Sequence, residues 1–263
     1  MRVALGQFAA STDPAANLAR IRQLARDAAR QDAGLVVFPE AAMCSFARPR
    51  ADAAEPFDGP WASGVRAVAT EFGLTIVAGM FTTTSDPGRA RNTLLVTGPD
   101  LEARYDKLHL FDALGYAESS QLEPGTTPVT FALDGHTIGL ATCYDVRFPG
   151  LFTHLAGLGA ELILLPSSWA PGPDKLHHWR TLVTARALDS TSFVVAVDQS
   201  RPAPVTEGRA PTGIGHSLVV DPLGRVLLEL GEEDELRVVD VDLAVVPAVR
   251  ERLPVLQHQR RFG

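Results

Sequence analysis

"GLVVFPE" (34–40) is a short, wholly apolar run that closes on Pro39 and Glu40. A continuous apolar run of strand length reads as a strand buried on both faces, the kind found inside parallel sheets. Upstream, "RVALGQFA" (2–9) reads as a strand, and "PAANLARIRQLARDAARQ" (14–31) sets Leu18, Ile21, Leu24, Ala25 and Ala28 at helical spacing. Asp13 and Pro14 suit an N-cap and a first helical position. The first forty residues therefore read as β-α-β.

The same pattern continues downstream. "WASGVRAVATEFG" (61–73) reads as a helix through Trp61, Val65, Val68, Ala69 and Phe72, and it feeds the strand "LTIVAGM" (74–80). Strands without helices follow: "NTLLVTG" (92–98), a Pro-Asp turn, "LEARYDK" (101–107), then "VTFAL" (129–133) and "HTIGLATC" (136–143) joined by Asp134-Gly135. An Asp-Gly pair between such runs is a strong hairpin signal. Helix and strand alternate again through "GLFTHLAGLG" (150–159), "ELILLP" (161–166), "KLHHWRTLVTARALDS" (175–190) and "SFVVAVD" (192–198), and "GHSLVVDPLGRVLLEL" (215–230) reads as a last hairpin turning near Gly224. The stretch 199–212, rich in Pro, Arg and Gly, reads as a long surface loop able to shape a site. No repeat, linker or shift of composition divides residues 1–263, so the expectation is a single α/β domain, a mixed sandwich with helices covering its sheet faces.

Composition narrows the function. With 46% hydrophobic and 21% charged residues the chain can bury a large core. Its 24 basic and 31 acidic side chains give a net charge of −7, with the basic residues scattered, which argues against nucleic acid or anionic membrane as partners. No stretch approaches the roughly eighteen uninterrupted apolar residues of a membrane span, and the N-terminal run is too short for a secretory signal. A cytoplasmic location is the expectation. Two cysteines, Cys44 and Cys143, make neither a disulfide framework nor a cysteine-rich zinc site. If cysteine matters here, it matters as a thiol.

Three apolar runs end in a reactive residue: "VVFPE" in Glu40, "ARYDK" in Lys107 and "GLATC" in Cys143. Strand ends are where α/β architectures usually bind ligands. A carboxylate, an ammonium and a thiol together suit acyl transfer, because a free thiol titrates near about pH 8.5 and needs a base or a positive charge to become a good nucleophile. Taken singly, each has a plainer reading: Cys143 as a core thiol, Glu40 as a helix cap, Lys107 as a solvated rim charge.

The order and surroundings decide between these readings. Glu in "FPE", Lys in "YDKLHLF" and Cys in "CYDVRFP" resemble the nitrilase superfamily of carbon–nitrogen hydrolases. The resemblance runs nearly end to end, through "RVALGQF", "ESSQLEPG" (118–125), "GAELILLPSSW" (159–169), "HHWRTLVTARALDS" (177–190), "GHSLVVDPLGRV" (215–226) and a basic C-terminal tail. It implies a four-layer α-β-β-α sandwich and a Glu40, Lys107, Cys143 triad, with Glu118 of "YAESS" as a second glutamate holding Lys107. It also implies a homodimer or larger homo-oligomer, and neither metal nor organic cofactor.

The mechanism so implied is a two-step acyl transfer through a cysteine thioester, with the oxyanion held by Lys107 and the backbone N–H of Tyr144. "CYDVRFP" resembles the amidase branch containing omega-amidases and deaminated-glutathione amidases, whereas nitrilases usually carry Trp-Glu after the cysteine. A small-molecule amide is therefore the expected substrate, with an N-carbamoyl amino acid or a nitrile as alternatives. A non-catalytic scaffold on the same fold is the remote alternative. Arg147 is either an anchor for a substrate carboxylate or a structural ion pair, and Tyr116 and Trp169 are further candidates to line the pocket. "AAMCSFARP" after Glu40 departs from the Gly-Tyr often found there. His177 and His178 are adjacent and so cannot share a helix face as metal ligands, and His109 reads as a supporting or core histidine. The chain has no G-x-S-x-G elbow, no phosphate-binding G-x-x-x-x-G-K-[ST] and no G-x-G-x-x-G after its first strand.

Overall fold

In β1 (Arg2–Gln7), Val3 and Leu5 pack into one buried cluster and Ala4 into another. This alternation repeats in every central strand and divides the molecule into layers. The structure is a computed structural model that describes residues 1–201 and 211–260. After β1 come α1 (Pro14–Ala29), β2 (Leu35–Val37), α2 (Arg50–Ala53), α3 (Pro60–Phe72), β3 (Thr75–Thr83), β4 (Ala90–Gly98) and β5 (Leu101–Asp106). A ribbon of β6 (Asp112–Ala113) and β7 (Tyr116–Ala117) leads to β8 (Thr130–Leu133), β9 (His136–Leu140), α4 (Pro149–Gly157), β10 (Leu162–Ser167), α5 (Lys175–Ser190) and β11 (Phe193–Asp198). The chain ends with β12 (Leu218–Val220), β13 (Val226–Glu229), β14 (Glu235–Asp240), α6 (Val245–Arg252) and α7 (Val255–His258).

Two six-stranded sheets form, in the orders β14-β1-β2-β3-β4-β5 and β13-β12-β11-β10-β9-β8. Between them Leu35, Val37, Val77 and Val96 of the first meet Ile138, Leu162, Leu164 and Val195 of the second. The opposite face of the first sheet packs on Ile21, Leu24, Val65 and Val68 of α1 and α3, and that of the second on Leu155, Trp179 and Val183 of α4 and α5. The result is the four-layer α-β-β-α sandwich. The side chains of β10 divide in the same way, Leu162 and Leu164 inward and Ile163 and Leu165 toward the helices, which is why both sheets read as unbroken apolar runs.

Local signals act as read. β1 and β2 pair in parallel, Val3 opposite Leu35, across the predicted helix crossover. The Asp13 side chain accepts from the Ala15 N–H at 2.9 Å with Pro14 in the first turn. Asp134 and Gly135 both take positive φ, 51° and 80°, in the β8–β9 hairpin, and Gly224 does so at 77° between β12 and β13. Strand β14, antiparallel to β1, is one of the elements the pattern did not disclose: "ELRVVD" is charged and half-exposed, so it lacks the apolar run that marks the central strands. Residues 202–210, within the loop expected over 199–212, lie outside the described residues, while the flanking Gln199 and Pro211 are buried.

Candidate active site

Glu40 follows β2 in a turn folded tightly over β3. Gly79 N–H donates to Pro39 O at 3.1 Å, and Met43 N–H donates to Gly79 O at 2.9 Å. Lys107 follows β5 directly, its N–H bonded to Asn92 O at 2.9 Å. Cys143 lies just past β9 with φ 46°, a conformation that is uncommon for a residue with a side chain and recurs at functional sites. Glu118 sits on a short 3-10 turn after β7. The first sheet thus delivers the ammonium and one carboxylate, and the second delivers the thiol.

These side chains meet in one cavity, whose lining includes Glu40, Lys107, Glu118, Cys143, Ser168 and Lys175. Lys107 Nζ donates to Glu40 Oε1 at 2.8 Å and to Glu118 Oε1 and Oε2 at 3.0 and 2.8 Å. Asn92 Nδ2 bridges the same carboxylates, 2.7 Å from Glu40 and 3.2 Å from Glu118. The second oxygen of Glu40 accepts from the Ser168 N–H at 2.8 Å, which ties the first sheet to the end of β10. Glu118 Oε2 accepts from the Phe111 N–H at 2.6 Å. The Cys143 thiol is 3.7 Å from Ser168 O.

Burial and charge set the protonation states. Burial, reinforced by the Glu40 charge, holds the Cys143 thiol well above its ordinary value, so sulfur rests as SH. Burial also raises the Glu40 carboxyl, opposed by the Lys107 ammonium and assisted by Glu118. For Lys107 burial pulls the other way, yet the two carboxylates outweigh it and keep its pKa well above that of an ordinary lysine. The site therefore holds a fixed cation, a protonated thiol and a carboxylate whose basicity is enhanced. That set can move a proton from sulfur to carboxylate during attack on a carbonyl.

The sequence candidates divide. Tyr116, Tyr144 and Trp169 line the cavity beside the four reactive residues. Tyr144 packs edge-on against Phe111, and the Tyr116 hydroxyl accepts a hydrogen bond from the buried Arg50. Arg147 is not among the lining residues; its guanidinium stands 5.2 Å from the centre of the Trp169 ring. Cys44 is buried elsewhere, near Thr12 O, and does not line the cavity. Sequence reasoning missed Asn92, Ser168, Phe111 and Lys175. Asn92 and Ser168 act through an amide and a main-chain N–H inside strand-like segments, and no local pattern distinguishes them. Lys175, the first residue of α5, carried a signal in the Gly-Pro-Asp-Lys turn that precedes a helix. Among the described residues no three His, Cys, Asp or Glu side chains gather as a metal site, and no helix is long and apolar enough to cross a membrane.

Comparison with known proteins identifies the family. Residues 2–251 match the family model described as carbon-nitrogen hydrolase. A Mycobacterium tuberculosis protein named Hydrolase Rv0480c is 49% identical over 271 residues, covering all of this chain and 96% of its own. The deaminated glutathione amidase of Escherichia coli O157:H7 is 35% identical, over 99% of this chain and 97% of its own. The crystal structure of Saccharomyces cerevisiae Nit3, a member of branch 10 of the nitrilase superfamily, superposes with a TM-score of 0.86 at 29% identity, covering 100% of this chain and 97% of that one. The chain belongs to the carbon–nitrogen hydrolase family. It is an amidase-type enzyme acting on carbon–nitrogen bonds other than peptide bonds.

Proposed function

We propose that the protein hydrolyses a small amide, of the omega-amide or deaminated-glutathione kind, through a thioester on Cys143. The observation that carries this reading is the buried Lys107 ammonium held between Glu40 and Glu118 in the cavity that contains the thiol. The substrate carbonyl sits against Cys143 with its oxygen toward Lys107 Nζ and the Tyr144 N–H. Glu40 takes the thiol proton as sulfur bonds to the carbonyl carbon, and Lys107 stabilises the oxyanion. The oxyanion collapses, the C–N bond breaks, and Glu40 returns the proton to the departing ammonia or amine. Water then attacks the thioester, giving its proton to Glu40. When the C–S bond breaks the carboxylic acid leaves, and Glu40 reprotonates the sulfur. Glu118 keeps the lysine aimed by holding it with both oxygens.

Ammonia release over a panel of omega-amides, deaminated glutathione, N-carbamoyl amino acids and nitriles tests the substrate class, and release from nitriles alone would overturn it. Cys143→Ala should abolish turnover without unfolding the protein, and iodoacetamide should modify Cys143 before Cys44. Full activity in that variant would sink the mechanism.

The same reading takes residues 1–263 as one domain acting in the cytoplasm, supported by two unpaired cysteines. It pairs protomers along the groove lined by Leu188, Leu253, Val255 and Leu256, an assembly that sedimentation velocity would detect.

A further inference from the structure

The turn ahead of α5 puts a cation into the cavity. Gly172 and Asp174 both take positive φ, and the Lys175 N–H donates to Gly172 O at 3.3 Å. Trp169 Nε1 donates to Lys175 O at 3.0 Å, so the lysine backbone is fixed at two points. Its side chain lines the same cavity as Cys143, with the residue only 5% exposed.

What faces the ammonium is unusual for a buried lysine. Nζ stands 4.6 Å from the centre of the Trp169 ring and 5.4 Å from that of Phe111. Both cavity carboxylates are engaged by Lys107, and among the described residues none lies within ion-pair distance of Lys175. Cation–π contacts supply about 0.5–2 kcal/mol each, whereas removing an ammonium from water costs several. The buried Asp198 carboxylate acts on Lys175 only from beyond ion-pair distance, its oxygens accepting from the Trp169 and Ile214 N–H groups, so the cation is held in place without a contact partner of opposite charge. Arg147, behind the lining on the same Trp169 ring, also has no carboxylate within ion-pair distance among the described residues, so two cations stand against the single Asp198 acid at this end. Glu40 and Glu118 outnumber Lys107 at the reacting end, and a bare anion there would be repelled. A ligand with an amide at one end and a negative charge at the other matches both ends.

We infer that Lys175 is a specificity-determining residue whose ammonium binds a carboxylate remote from the scissile bond of a small amide substrate. This rests on the amidase reading above and assigns recognition of the substrate's carboxylate to one residue of this chain. The carboxylate is that of the monoamide of a dicarboxylic acid or that of an N-carbamoyl amino acid.

Binding to the Cys143→Ala protein separates these without needing turnover. Calorimetric titration would use pentanedioic acid monoamide, N-carbamoyl-β-alanine and neutral pentanamide, each repeated in a Cys143→Ala, Lys175→Met protein. At least one anionic ligand should bind more tightly than pentanamide, and Lys175→Met should lower that affinity ratio by about 10- to 100-fold. Lys175→Arg should recover part of it. Whichever anionic ligand responds identifies the kind of amide that Lys175 selects. A ratio unmoved by Lys175→Met, an equal loss for all three ligands, or no preference for either anion overturns the inference. If Lys175→Met does not fold, judged by circular dichroism, Lys175→Gln makes the same comparison. Failure of the wild-type enzyme to release ammonia from any amide would instead overturn the amidase reading, while the affinity ratio still decides the role of Lys175.

Discussion

Asp145 stands two residues past Cys143, and its Oδ1 accepts from both Nδ1 and the backbone N–H of His109, two residues past Lys107, at 2.7 and 3.0 Å. Its Oδ2 takes the Tyr105 hydroxyl at 2.6 Å and the Thr142 N–H at 2.8 Å. One buried carboxylate thus fixes the turn that carries the thiol to the segment that carries the ammonium. His109 is held further by stacking on Phe148 at 3.7 Å.

Asp145→Asn keeps the shape of this joint but turns one acceptor into a donor facing donors. Leaving such a buried contact unsatisfied costs about 1–3 kcal/mol, which for a chain of this size lowers Tm by about 2–4 °C per kcal/mol. Thermal unfolding should show that loss, and kcat should fall further than stability does because Cys143 and Lys107 lose their common reference. An unchanged kcat in a destabilised protein would confine Asp145 to folding.

Gly79 lets the Glu40 turn approach β3. A Cβ built there would lie 2.4 Å from Ala41 N and 2.7 Å from Glu40 Cα, and these are backbone atoms that cannot swing away. Gly79→Ala should cost about 1–3 kcal/mol from overpacking. Because the forced shift falls on Glu40 itself, kcat/KM should drop by about 100-fold, the usual penalty of misplacing a reacting group by an ångström. Denaturant unfolding and steady-state kinetics on the same preparation separate the two, and wild-type kinetics would show that the turn can relax.

The layers were legible because a buried sheet writes its strands as apolar runs; "GLVVFPE" and "ELILLP" could not be solvated strands. Glu40, Lys107 and Cys143 were legible as a set because each closes a predicted strand inside a motif that resembles one family, in that family's order; "LEARYD" before Lys107 is itself half-exposed and no apolar run. Glu118 was legible only through the family resemblance, since it follows a two-residue strand and nothing around it is periodic. Asn92 and Ser168 stayed hidden because their contributions depend on pairing across sheets. The Ser168 N–H meets a carboxylate 128 residues away, and no local spacing encodes that contact.

The acid limb of the kcat/KM profile reports the free-enzyme base. With Glu40 raised above 4.5, chiefly by burial, that limb should lie above the ordinary glutamate range. Activity is lost as pH falls through the raised value. Glu118→Gln removes a negative charge that helps to raise Glu40, so Glu40 stays ionised to lower pH and the limb should shift toward acid. The lysine loses a clamp at the same time, and kcat should fall by about 10²-fold or more. A limb that moves upward in this variant would refute Glu40 as the titrating base.

Asn92 tests the same assignment from the opposite direction. Its amide donates to Glu40 at 2.7 Å, which favours the charged carboxylate, and its own Oδ1 is buried without a partner. Asn92→Ala deletes that donor, so the Glu40 pKa should climb and the acid limb should move to higher pH, opposite to Glu118→Gln. The fold should tolerate the change, because the unpaired oxygen leaves with the side chain. Measuring both limbs in one buffer series makes the comparison internal. If both variants move the limb the same way, the Asn92 and Glu118 contacts do not act through Glu40.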